Sequence, residues 1–180
     1  MAAAVLAKRR GLTVLSTTRS PAKADALTRL GVDHVLVDNG SVADRVRALF
    51  PDGVDGAIEL VGTLTLPDTL RATKVHGTVC FTGMLSGEWT VADFYPIDYL
   101  PPGVRLTAYS GDADNLSADV LQGFLDDVAA GRAAVPVDRV FTLDQIREAH
   151  SYLESGASAG KLVVLLRPEG EIGQLVGGPL

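Results

Sequence analysis

The chain has 180 residues, a formal net charge of −6, 47% hydrophobic and 21% charged residues, a composition that describes a soluble globular protein with one substantial core. Its Lys and Arg residues form no basic stripe, which argues against a nucleic-acid partner, and no apolar segment reaches the roughly 20 residues needed to span a bilayer. The single cysteine, Cys80, can form neither an internal disulfide nor a thiolate zinc cluster and fits a reducing cytoplasm.

The opening MAAAVLAKRRG carries its positive charges after the apolar stretch, the reverse of a secretory signal, so residues 2–10 read as a helix stopped by Gly11. LTVLST (12–17) has the length and β-rich character of a buried strand. Ser20 then reads as an N-cap with Pro21 in the first helical position, and the helix runs to Gly31. DHVLV (33–37) is a strand, SVADRVRALF (41–50) a helix, GAIELVG (56–62) a strand, TLPDTLRAT (65–73) a helix and HGTVCFTGM (76–84) a strand. Such alternation predicts a parallel sheet covered by helices, because parallel neighbours need a crossover. After Met84 comes a loop bearing Trp89, Phe94, Tyr95, Tyr99 and LPPG (100–103). VRLTAYS (104–110) reads as a strand, LSADVLQGFLDDVAAG (116–131) and LDQIREAHSYLESG (143–156) as helices, and KLVVLL (161–166) as a last strand. The domain is expected over residues 1–167, with 168–180 a loose glycine-rich tail.

Several chemical motifs fail on context. GASAGKL (156–162) lacks the hydroxyl residue of a phosphate loop and precedes a strand, while DADNLSAD (112–119) lacks the glycine of a calcium loop. His34, His76 and His150 belong to no HExxH pair, and no serine sits in a GxSxG elbow.

The constellation that remains lies where the first of these strands ends. In a dinucleotide fold that position reads the adenosine ribose: an acid accepts from the hydroxyls, whereas a 2′-phosphate is repelled by carboxylate and held by Arg or Lys. Thr17, Thr18, Arg19, Ser20 and Lys23 stand there, a chemistry that favours NADP(H). For the two cations alone a solvated helix face is an equal alternative. The surrounding order of pieces favours the cofactor, since strands ending in LVG (60–62) and FTGM (81–84) put further glycines at the carboxyl edge where open α/β sheets bind ligands.

The run from AAAVLAKRRGLTVLSTTRSPAKADALTRLGVDHVLVD through GAIELVG, GTVCFTGM and GVRLTAYSG to VFTLDQIREAHSYLESGASAGKLVVLL resembles the nucleotide-binding half of the medium-chain dehydrogenase/reductase superfamily, in its zinc-independent quinone oxidoreductase branch. The resemblance covers nearly residues 2–167. It implies a NADPH-dependent reduction of a quinone or enone by hydride transfer, with Arg19 and Lys23 on the 2′-phosphate and Thr17, Thr18 and Ser20 adding hydrogen bonds. It places Val61, Gly62, Thr63, Thr82, Gly83 and Met84 near the ribose and nicotinamide, and it finds Asp38 where relatives often carry an adenine-stacking tyrosine.

In such relatives a catalytic domain, a first strand and a glycine-rich turn come earlier, and Met1 here falls inside the helix that follows that turn. The expected fold is therefore α/β, a Rossmann-like doubly wound parallel sheet lacking its first strand. Strand 1 is central in the order 3-2-1-4-5-6, so its neighbours would expose unpaired amides, each costing about 1–3 kcal/mol if buried. The two neighbours could close up, KLVVLL or the tail could fill the slot, or a second copy could supply an edge, which makes a homodimer the expectation. The last strand is also expected to lack its partner. The alternative function is a catalytically inactive module that folds and dimerises with weak or no cofactor binding.

Overall fold

A computed structural model of the protein describes residues 1–166, so the expectation for the tail at 168–180 lies outside the described residues. Helix α1 (Ala2–Arg9) holds Lys8 and Arg9 in its last turn, where cations oppose the partial negative charge of unpaired carbonyls. Strand β1 (Leu15–Thr18) starts later than the expected 12–17, because Leu12 is still tied to the end of α1, its amide donating to the Ala7 carbonyl at 3.2 Å. The next boundary also differs. Ser20 caps no helix; its amide donates to Thr18 Oγ1 at 3.2 Å, the chain makes a 3₁₀ turn over Pro21–Lys23, and α2 (Ala24–Arg29) follows without a side-chain cap.

Strand β2 (His34–Val37) is followed by α3 (Val42–Leu49), β3 (Val54–Glu59), α4 (Leu66–Ala72), β4 (Thr73–Phe81), the short α5 (Pro96–Tyr99), β5 (Arg105–Ala108) and α6 (Ala118–Ala129). Strand β6 (Val137–Thr142), a 3₁₀ turn Leu143–Gln145, α7 (Ile146–Glu154) and β7 (Lys161–Leu165) complete the order. The strands form three sheets, β1-β2, β3-β4-β5 and β6-β7. The neighbour relations within the first two sheets are those of the doubly wound order. Among the described residues no strand is paired to both β1 and β3, and those two are not paired to each other.

The chain divides into two compact units, each described by itself: Met1–Ser16 with Ala22–His34 and the chain from Gln122 onward, and Thr17–Pro21 with Val35–Leu121. In the second unit β3, β4 and β5 run parallel, with Ala57 opposite Val79 and Val79 opposite Leu106. Helix α4 is the crossover between β3 and β4, and it places Leu66 and Leu70 against Val79 and Val104, with Ala57, Phe81, Tyr99 and Leu100 around them. Ser41 makes no side-chain cap for α3; Asp68 of α4 does so instead, its Oδ2 accepting the Val42 and Ala43 amides at 2.8 and 3.1 Å. Arg47 of α3 answers by donating to the Arg71 and Thr73 carbonyls, so the two helices satisfy one another's exposed ends.

In the first unit β6 and β7 are parallel, with α7 as their crossover, and Phe141 and Ala149 buried between them. This corrects the expectation that KLVVLL lacks a partner: the partner is Val137–Thr142, whose VDRVFT sequence alternates too weakly to stand out beside its polar positions. Arg139 covers the Tyr152 ring at 4.1 Å. Asp127 receives both Arg9 and Arg132, and Asp33 receives Lys8 at 2.7 Å together with the Val14 amide at 2.7 Å.

The hydrogen bond from Lys8, followed by that from the Val14 amide, holds the Asp33 carboxyl below its ordinary value of 3.8. A carboxyl depressed in the fold contributes stability that is complete above the unfolded value and is lost as pH falls through the folded one. Thermal melts of the protein and of Asp33→Asn should therefore differ by a constant amount above pH 3.8 and converge as pH drops below it. A gap that persists unchanged into that acid range would show that Asp33 acts by shape and not by charge.

Candidate functional site

Parallel pairing of β3 with β4 brings their carboxyl ends side by side, and the site grows from the two turns that leave them. The first turn is organised by Glu59, the last residue of β3, which is 3% exposed. Glu59 Oε1 accepts the Val61 amide at 2.8 Å, the Gly62 amide at 3.1 Å and the Thr65 hydroxyl at 2.8 Å, while Oε2 accepts the Thr69 hydroxyl at 2.5 Å. Thr65 and Thr69 are four apart and so share one face of the first turns of α4. The Glu59 carbonyl reaches the other turn, accepting the Thr82 and Gly83 amides, both at 3.0 Å.

Close approach of the two turns explains their glycines. A Cβ on Gly83 would lie 2.1 Å from the Leu60 carbonyl oxygen, so any side chain there would force the strand ends apart. Gly62 has φ of +127°, where L residues are strained, and its absent Cβ leaves room for Ser86 Oγ. The Val61 carbonyl accepts the Ser86 amide at 2.8 Å, and Thr63 Oγ1 donates to the Glu88 carbonyl at 3.0 Å, which fastens the start of the 85–95 loop to the same turn.

The structure thus brings Val61, Gly62 and Thr63 together with Thr82, Gly83 and Met84. It also limits what they can offer. The amides of Val61, Gly62, Thr82 and Gly83 are all engaged by Glu59 and the Thr63 hydroxyl by the Glu88 carbonyl, so these residues present surface and shape, with the Thr82 side chain exposed and Met84 half-buried. Sequence reasoning missed Glu59, Thr65 and Thr69. The available signal was a single acid in the apolar GAIELVG followed by two threonines at helical spacing.

At the end of β1, Thr17 and Arg19 are exposed, Thr18 and Ser20 half-buried. The Thr18 hydroxyl is engaged within its own turn through Ser20. Thr18 O accepts the Asp38 amide at 2.7 Å, and Asp38 turns its carboxylate onto the Gly40 amide at 2.9 Å. Among the described residues the side chains of Arg19 and Lys23 make no ion pair or hydrogen bond, and no hydrogen bond links residues 17–20 to either glycine turn. Lys23 closes the 3₁₀ turn before α2. Among the described residues no group of three or more His, Cys, Asp or Glu is placed to share a metal ion, and no helix is long and apolar enough to cross a membrane.

Residues 30–164 match the family model described as zinc-binding dehydrogenase. A probable quinone oxidoreductase from Leishmania amazonensis is 30% identical over 169 residues, an alignment that takes in 86% of this chain and 49% of that protein. Among solved structures, AibC superimposes with a TM-score of 0.74 at 29% identity, covering 90% of this chain and 44% of AibC. Mycobacterial Rv1454c, solved in complex with NADPH, gives a TM-score of 0.71 at 25% identity, covering 90% of this chain and 51% of its own. The chain therefore spans about half the length of these proteins. These superpositions confirm a Rossmann-like α/β arrangement.

Tyr99, beside this site, packs its ring edge-on to Phe94 at 5.0 Å, and its hydroxyl is enclosed with no partner among the described residues. Burial, and then the negative charge of Glu59, push the phenol above its usual value of 10.0, so it stays protonated with a donor to satisfy. Removing an enclosed, unpartnered hydroxyl relieves a cost of about 1 kcal/mol, and Tyr99→Phe should raise the melting temperature by about 2–4 °C. A drop in melting temperature would reveal a partner for the hydroxyl in solution.

Proposed function

The chain belongs to the zinc-binding dehydrogenase family of the medium-chain dehydrogenase/reductase superfamily, and we propose that it forms the cofactor-binding portion of a NADPH-dependent quinone or enone reductase. The observation that carries the choice of NADPH is Arg19, an exposed guanidinium at the carboxyl end of β1 that has no acidic partner among the described residues. An uncompensated cation where a ribose is read suits a 2′-phosphate, and a carboxylate is missing from the position that would select NADH. The NADPH bound to Rv1454c supports the same choice.

In this reading Arg19, with Lys23 four residues on, holds the 2′-phosphate, and Thr17 and Ser20 offer hydroxyls to the same group. Val61, Gly62 and Thr63 form one wall for the ribose and nicotinamide, and Thr82, Gly83 and Met84 the other. When bound, the dinucleotide supplies the hydride. The protein's part is to hold the ring against the acceptor and to keep the two turns from moving, which lowers the cost of ordering at each encounter. The branch assignment, zinc-independent quinone oxidoreductase, follows the relative from Leishmania amazonensis.

Nucleotide fluorescence titration tests the assignment. NADPH should bind at least about tenfold tighter than NADH, and Arg19→Ala should abolish that preference while leaving NADH affinity unchanged, since a charge-assisted phosphate contact contributes about 1.5–3 kcal/mol. Equal affinities in the unaltered protein would overturn the NADPH reading. Binding of neither nucleotide would favour the alternative, a folded module without cofactor.

A homodimer belongs to the same proposal. Strand β3 ends its sheet with an open edge among the described residues, and Ile58 and Leu60 there are 56% and 45% exposed, a combination that proteins rarely leave uncovered. Light scattering at micromolar concentration should give twice the chain mass of 18.9 kDa, and a value at the chain mass would count against the dimer.

A further inference from the structure

Glu59 presents an unusual chemical situation. Its side chain is buried, yet among the described residues no Lys, Arg or His is paired with it and the donors that satisfy it are all neutral. Enclosing an ionised carboxylate without a counter-charge is costly, and an apolar residue would fill a strand end at lower cost. The four donors show what is gained. Two are backbone amides of consecutive residues, Val61 and Gly62, whose convergence on one oxygen fixes the direction of the turn. The other two are hydroxyls on one face of α4, so the carboxylate locks the turn to the helix that follows it. The main chain of the same residue holds Thr82 and Gly83.

We propose that Glu59 is a positioning residue that holds Val61–Thr63 and Thr82–Met84 in their nucleotide-ready form before any cofactor arrives. The proposal rests on the cofactor reading given above and adds a division of labour to it. Arg19 discriminates between the two nucleotides at the phosphate end, whereas Glu59 sets affinity for the portion they share, the ribose and nicotinamide. Gln in place of Glu59 keeps the size but removes the charge and one acceptor oxygen. Its amide nitrogen cannot accept the Thr69 hydroxyl, and its remaining oxygen holds the Val61 and Gly62 amides as a neutral acceptor, with roughly half the strength of a charged one. A turn that must be ordered at binding lowers affinity for every ligand that needs it.

The test measures two things on the same samples of Glu59→Gln and the unaltered protein: affinities for NADPH and NADH, and hydrogen exchange at individual amides. The expected result is a loss of about tenfold in affinity for both nucleotides, with their ratio unchanged. Alongside it, exchange should quicken about tenfold at Val61 and Gly62 while the core amides of Val79 and Cys80 keep their protection. A merely structural role would accelerate exchange at all four together. Thr69→Val, which removes one donor and retains the charge, should shift the same two amides and both affinities in the same direction by a smaller factor, and it decides the matter if Glu59→Gln does not fold. Unchanged nucleotide affinity in a folded variant overturns the positioning role and leaves the cofactor reading intact. Binding of neither nucleotide by the unaltered protein overturns both, and the exchange data then report only the strength of the turn.

Discussion

Parallel pairing of β3 with β4 is the constraint on which the candidate site depends. Parallel strands cannot be joined by a tight turn, so the chain must leave β3, cross over as α4 and return. That obligation makes α4 start directly above the end of β3, which is why Thr65 and Thr69 meet Glu59. It also makes β4 end beside β3, which is why the Glu59 carbonyl meets Thr82 and Gly83. Close spacing at the two exits leaves no volume for a side chain at Gly83. One ladder of backbone hydrogen bonds thereby dictates a buried acid, two hydroxyls and a glycine.

Much of this architecture was legible in the sequence because hydrophobic period and punctuation agree there. TLPDTLRAT became α4 almost residue for residue, since Pro67 near its start, the spaced Leu66 and Leu70, and the β-branched Thr73 at its end all point the same way. The alternation from β1 to β4 gave the α/β class, with β3 and β4 parallel as it requires. Boundaries were harder wherever a side chain competed with the backbone. Thr18 takes the Ser20 amide and closes a local turn, and α2 begins only after the 3₁₀ turn that follows, with Lys23 and not Ser20 at its N-cap. Strand β6 was missed for another reason: VDRVFT exposes most of its length, and only Phe141 is buried.

The site was legible at the level of segments but not of roles. Glycines and hydroxyls at the ends of GAIELVG and GTVCFTGM marked the two turns that the β3–β4 pairing brings side by side. The residue that ties them together looked like an isolated acid in an apolar run, and its importance comes from donors six and ten positions further along, which only the crossover brings near. Asp68 is a similar case. It reads as an ordinary first-turn acid of its own helix, while its Oδ2 is turned to the start of a different one.

The pairing of β6 with β7 has a kinetic meaning. Strand, helix and strand follow one another directly from Val137 to Leu165, so this ribbon assembles from neighbours along the chain and closes only a modest loop. The contacts that join Phe141, Ala149 and Tyr152 are thus local in sequence, and the entropy of closing the ribbon that holds them is correspondingly small.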